Sequence, residues 1–262
     1  MIVAQVLAVG AGVALVAWTL LSAVRTVVVP RAVITSLTRF HFVTLRKLFN
    51  VFAGPKRSFD SRDRTMSLYA PIALVSLPGV WVIMVLAGFT LIFWGTDVRP
   101  LTEAFATSGS SLFTLGFIRP RGTPRIVLEF AEAGIGLGLI SLMISYLPSI
   151  YSAFSRREAL VGMLEVRAGL PPSPAELLIR YRLIGWLDRI DEDVFERWES
   201  WFIDIEESHT SQPSLVFFRS PHPERSWITA AGCVLDTAAI TASTLDRPRN
   251  ASCDVMIRSG YL

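Results

Sequence analysis

Three stretches of the chain are apolar over a membrane's thickness. No charged side chain occurs from Met1 to Val24 or from Met66 to Gly95, and a third run, Ile126 to Ser152, carries only Glu129 and Glu132 near its start. About 20 consecutive apolar residues cross the hydrocarbon core as a helix, so the pattern predicts three transmembrane helices. Pro71, Pro78 and Pro148 fall in these runs as kinks that a membrane helix tolerates. A cleaved signal peptide would have a basic start and a shorter apolar core; the first run has neither and reads as an uncleaved anchor.

Elsewhere the spacing is that of amphipathic helices. Between 31 and 64, Phe40, Phe42, Leu45, Leu48, Phe49 and Phe52 interleave with Arg39, Arg46 and Lys47. Such a helix either lies on the membrane's inner surface or packs on the inner end of the third span, and the spacing fits both. Residues 153 to about 170 continue the third helix as far as the stop "GLPPSP". Further helices are predicted near 174 to 187, 192 to 208 and 226 to 245, set apart by Pro213, Pro221 and Pro223. In "LDRIDEDVFERWESWFIDIEES", Phe195, Trp198, Phe202 and Ile205 recur at helical spacing with carboxylates between them, which predicts a solvated acidic face. Asp191 and Asp193 lack the glycine and terminal glutamate of a calcium loop. The chain stops at "IRSGYL" without a polar tail, as a fragment would, or as a final helix beginning there would.

Composition agrees with a membrane protein carrying a soluble appendage. The chain is 52% hydrophobic with a mean hydropathy of +0.47, outside the range of soluble domains. Charge then sets an orientation. Residues 25 to 64 hold nine Lys/Arg (Arg25, Arg31, Arg39, Arg46, Lys47, Lys56, Arg57, Arg62, Arg64) against two acids, whereas 153 to 262 hold twelve Arg against sixteen acids. A basic first loop stays inside, which puts the N-terminus outside, the second helix running outward and the C-terminal part in the cytoplasm of a multi-pass cell-membrane protein. Arg99, Arg119, Arg121 and Arg125 then fall in the outer connection, outnumbered by the nine. The basic segment suits anionic membrane lipid rather than nucleic acid. Cys233 and Cys253 lack metal-ligand spacing, His41, His209 and His222 have no partners at ligand spacing, and no glycine-rich phosphate loop occurs. No cofactor, resident metal or enzymatic activity is expected. Asn250-Ala251-Ser252 matches a glycosylation acceptor, on what this orientation makes the wrong side.

The outer connection contains "AFATSGSSLFTLGFIRPRG", residues 104 to 122, a pattern that an ordinary loop does not need. Residues 102 to 112 fit a helix of about three turns, with Thr102 as cap and Glu103 as first-turn acid. Its carboxyl end, negative by its dipole, would point toward the bilayer centre and favour a cation. Thr114-Leu115-Gly116-Phe117 follow, with a glycine whose freedom lets successive carbonyls face one way.

In these residues the chain resembles the pore module of the tetrameric potassium channel family: outer helix, re-entrant pore helix, filter, inner helix. The family's filter reads TVGYG or variants such as TIGFG, and the likeness spans roughly residues 66 to 155. It implies that Thr114, Leu115, Gly116 and Phe117 replace the hydration shell of potassium as permeant ion, with three further copies of the chain completing the ring. It also implies that Gly138 is a hinge in the inner helix, as Pro148 would be lower down, among the glycines Gly134, Gly136 and Gly138. Close packing is the expected role for two of those three. Glu132, ionisable inside a span, is a functional candidate that would bond the pore helix through Thr107, Ser108 or Ser111, whereas Glu129 reads as an i,i+4 partner of Arg125. Two positions depart from the family. Ile118 stands where a second glycine would, and a β-branched residue at positive φ is a steric outlier. Arg119, with Arg121 close behind, replaces an acid and would ring the outer mouth with positive charge.

The expected organisation is an all-α membrane protein with three transmembrane helices, one re-entrant pore helix with its filter loop, and a C-terminal all-α cytoplasmic domain. The anchor covers 1–30, a basic linker with an amphipathic segment 31–65, the pore module 66–155, and the helical domain, open to an unidentified regulator, 156–262. The competing reading is a non-conducting membrane sensor or scaffold that binds a cytoplasmic partner through its acidic helices.

Overall fold

The computed structural model describes residues 2–29, 35–54, 57–220, 222, 224–246, 248 and 250–261. Arg31 and Lys56 of the basic segment, and Pro221 and Pro223, lie outside the described residues. Among the described residues the chain is all-helical, with no strand. Among these residues ten α-helices run in order: α1 (Ile2–Val27), α2 (Ser36–Ala53), α3 (Phe59–Ser67), α4 (Tyr69–Gly95), α5 (Leu101–Leu112), α6 (Thr123–Ala168), α7 (Pro174–Leu183), α8 (Glu196–Ser211), α9 (Trp227–Thr244) and α10 (Ala251–Ser259). Three are long and apolar enough to cross a membrane: α1, α4 in continuation of α3, and α6, whose most apolar windows have mean hydropathies of 2.1, 2.3 and 1.8. The α6 window is only 17% buried against 39% for that of α4, so α6 keeps most of its apolar surface outward.

The chain forms two compact units, Met1–Leu48 with Pro71–Pro148, and Phe49–Ala70 with Ser149–Leu262. In the first, α1 and α4 approach through glycines. A Cβ on Gly88 would come within 3.0 Å of the Gly12 carbonyl and 2.6 Å of Val16, and one on Gly95 within 2.8 Å of the Gln5 carbonyl. Small residues let backbones meet at this range, and close contact is what holds helices together where lipid removes the hydrophobic drive between them. Around this crossing Val16, Trp81, Val85, Phe89, Ile92 and Phe93 are buried. α2 is tied to the same pair: its Thr38 hydroxyl lies 3.0 Å from that of Thr26 on α1, and its His41 ring nitrogen 3.0 Å from the Ala73 carbonyl on α4. These hydrogen bonds commit one side of α2 to α1 and α4.

The second unit is built around aromatic side chains. Phe195, Trp198, Trp201 and Phe202 pack with Leu164, Leu177, Tyr181, Val234 and Met256 in one cluster. Within it Arg157 of α6 is buried. It donates from Nη1 to the Leu215 carbonyl at 3.1 Å and from Nη2 to the Phe218 carbonyl at 2.8 Å, pairs with Glu158, and lies 5.3 Å from the Phe154 and Trp227 ring centres. These bonds satisfy a charge whose burial would otherwise be costly. His209, 5.2 Å from the Trp227 ring, has its pKa pushed down to about 4, first by burial and then by the Arg157 charge.

Several predicted bounds move. The 174–187 stretch ends as a helix at Leu183, with Gly185 in the left-handed region at φ +73°. A π-helical turn, Asp191–Phe195, precedes α8, and α9 is one residue shorter at each end than predicted. Near the end of the chain the helix is α10, capped by the Asn250 side chain accepting from the Ser252 amide at 3.1 Å. α6 is helical through both Gly138 and Pro148.

Candidate functional site

α5 begins at Leu101 rather than at Thr102. Its N-cap is Pro100, a residue with no amide to lose at a position where the amide would lack a helical partner. The cap assigned to Thr102 is thus corrected, while Glu103 keeps its first-turn place. Six of the twelve residues of α5 are buried, among them Thr107, Ser108, Ser110 and Ser111. Each of these hydroxyls has a hydrogen-bond partner: the Glu103 carbonyl for Thr107, Glu132 for Ser108, the Ile118 amide for Ser110 and the Glu129 carbonyl for Ser111.

Ser108 and Ser111 join α5 to α6. The Ser108 hydroxyl donates to Glu132 Oε1 at 2.5 Å and lies 3.1 Å from the Leu86 carbonyl of α4; Ser111 donates to the Glu129 carbonyl at 2.8 Å. Glu132 is fully buried, and its Oε2 has no hydrogen-bond partner among the described residues. Thr107 does not reach it: the Thr107 hydroxyl turns back to the Glu103 carbonyl of its own helix at 2.8 Å, the usual bond of a threonine inside a helix. Among the three glycines, only Gly136 meets a neighbour, the Leu112 carbonyl at the end of α5; a Cβ on Gly134 or Gly138 would find open space. Within the single chain close packing falls to Gly136, the one that faces α5.

At its carboxyl end α5 is closed by backbone bonds. The Ser110 carbonyl accepts from the amides of Leu115 at 2.8 Å and Gly116 at 3.2 Å, and the Ser110 hydroxyl accepts from the Ile118 amide at 3.2 Å. Closing the turn this way needs left-handed backbone, found at Thr114 (φ +56°) and Gly116 (φ +68°). Ile118 is not in the left-handed region, so the strain expected there falls on another β-branched residue, Thr114. The amide donors of 114 to 118 are largely spent inward, on Ser110 and Ser111. Among the described residues no donor meets the carbonyl oxygens of Thr114, Leu115, Gly116 or Phe117. Leu115 and Phe117 are about two-thirds exposed in the single chain, at 63% and 64%. Four consecutive carbonyls without donors, next to the negative end of a helix, can accept from water or ligate a cation.

The arginines of this region divide. Arg125 donates from Nε to the Thr96 carbonyl at 2.9 Å, capping the end of α4, instead of pairing with Glu129. Arg99 pairs with Asp97 at 3.2 Å and lies 5.2 Å from the Trp94 ring centre. Arg119 and Arg121 are exposed, and their side chains have no partner among the described residues. The described residues contain no cluster of three His, Cys, Asp or Glu side chains that could hold a metal ion. No family model matches the chain, and no curated protein or solved structure matches it.

Proposed function

We propose that the chain is the pore-forming subunit of a homotetrameric cation channel, with potassium as the permeant ion and the carbonyls of Thr114 to Phe117 as its ligands. In this reading α5 is a re-entrant pore helix, α4 and α6 are the outer and inner helices, the N-terminus lies outside, and the second unit is a cytoplasmic domain. The observation that carries it is the row of four carbonyls without donors following the α5 carboxyl end. Irregular backbone with open carbonyls is tolerated at membrane depth only where protein buries it or a water-filled cavity meets it. A ring of four copies would supply both, cover Leu115 and Phe117, and place the open faces of Gly134 and Gly138 toward neighbouring subunits. Ser108 and Ser111 would hold α5 at a fixed depth, and Gly138 and Pro148 would be the places at which α6 bends.

The test is rubidium flux into vesicles containing the purified protein, compared with Gly116→Ala. The variant places a methyl group at φ +68°, where the left-handed conformation costs an L-residue about 1 kcal/mol or more, and loss of flux with an intact oligomer is expected. Wild-type oligomers that pass no cation, with Gly116→Ala indistinguishable from them, would remove the proposal.

One observation favours a different reading. Exposed Arg119 and Arg121 would form a positive ring of eight side chains in a tetramer, repelling cations at the mouth, as suits a non-conducting membrane sensor or scaffold. Arg119→Asp separates the two, since a conducting pore gains conductance most at low salt, where the Debye length is about 30 Å at 0.01 M.

A further inference from the structure

We propose that the outward side of α2 is a docking surface for the headgroups of anionic phospholipids. The helix carries three cations, Arg39, Arg46 and Lys47, and no acid in its 18 residues. Its inward side is committed to protein through buried Leu37 and Thr38 and half-buried His41, Phe42 and Leu45. The outward side exposes Phe40 at 69%, Val43 at 45% and Leu48 at 50%, and among them stand exposed Arg39 and Lys47. A bulky apolar arc studded with cations suits neither water nor an apolar protein partner. It suits the boundary between headgroups and acyl chains, where apolar side chains enter and cations meet phosphates.

The anchoring of α2 places it at that boundary. Its hydroxyl contacts on α1 are Ser22 and Thr26, 3.4 Å and 3.0 Å from Thr38 respectively, in the last two turns of that apolar helix. Its contacts on α4 are Ala73 and Ser76, 3.0 and 3.1 Å from the His41 ring, in the first two turns of the next. α2 therefore lies where one membrane-length helix ends and the other begins, not midway along either. Arg25 of α1, one residue from Thr26 and exposed, adds a fourth cation at this junction. The surface depends only on α1 and α4 crossing a bilayer and not on the pore, so it stands or falls separately from conduction.

The experiment uses the full chain in nanodiscs of phosphatidylcholine with or without phosphatidylglycerol. A fluorophore on Phe40→Cys, with a second series on Val43→Cys, is read for quenching by a lipid-borne quencher; the two native cysteines are buried. Quenching should be strong, and phosphatidylglycerol retained by the protein in native mass spectrometry should fall about fivefold at low salt for each of Arg39→Gln and Lys47→Gln. The inference is overturned if the labels remain in water in both bilayers, if retention is unchanged by removing the cations, or if the labels are shielded by a second copy of the chain in the absence of anionic lipid.

Discussion

Where α1 crosses α4, the contact is made by Gly12, Gly88 and Gly95 and by what their missing side chains allow; where α6 meets α8, it is made by Trp201, whose indole donates to the Arg157 carbonyl at 3.0 Å. The first unit brings backbones together and adds polar bonds between helices, such as those of Ser108 with Glu132 and of Thr26 with Thr38. The second fills its interior with Phe195, Trp198, Trp201 and Phe202, and buries a whole guanidinium among them. A lipid surround accounts for the first pattern. Lipid tails are as apolar as leucine, so between membrane helices proximity and polar bonds must supply what burial of large rings supplies elsewhere.

That contrast makes unequal demands on substitutions. Trp201→Ala should cost about 3–5 kcal/mol, removing a nearly buried ring and the donor to Arg157, and should expose 196–261 to limited proteolysis while α1 and α4 stay protected. Equal loss of protection in both units would break the comparison. Gly88→Leu should act in reverse, leaving the aromatic unit folded and forcing α1 from α4 at a cost of about 1–3 kcal/mol. A pair of spin labels on α1 and α4 would report the separation, and unchanged distances would show that the glycines are incidental.

Ser108→Ala should cost about 1–3 kcal/mol by stripping buried Glu132 of the donor that lies 2.5 Å from its Oε1. Ser111→Ala loses a bond to a helical carbonyl that keeps its own amide, and should cost about 1 kcal/mol or less. Faster amide exchange at 113–117 in the first variant than in the second checks the ranking. The remaining effect is that of pH on the second unit. His209 titrates near 4 when folded and near 6.5 when unfolded, so the unfolded chain binds the extra proton between these values. Its contribution is fully present above 6.5 and is lost as pH falls toward 4, so thermal unfolding of this unit should shift downward across that window. His209→Phe should flatten the shift, and a profile unchanged by the substitution would exclude His209 as its source.

The sequence made the long elements plain and the short ones obscure. α1, α4 and α6 are visible because twenty-odd apolar residues have few other uses, and α8 because its rings recur at helical spacing. α3, nine residues of mostly polar character, lies hidden in the basic linker, and the Asn250 that caps α10 reads equally as a glycosylation acceptor. The Gly12–Gly88 contact joins residues 76 positions apart, and nothing local to either announces the other. At the site, a bond from Glu132 to Thr107, Ser108 or Ser111 was legible because an acid inside an apolar run needs a partner, but not which of the three it meets. The position of the backbone strain was not, because φ at Thr114 is set by how Ser110 closes α5 and not by the residue itself.

In the proposed pore four carbonyls hold the ion, and the anomalous signal of rubidium in a structure of the assembled protein reads them directly. Four chains around one axis are expected, with ion density within reach of the carbonyl oxygens of Thr114, Leu115, Gly116 and Phe117 from every copy. A stable assembly in rubidium whose 114–117 segments stand apart, with no ion between them, would contradict the proposed pore.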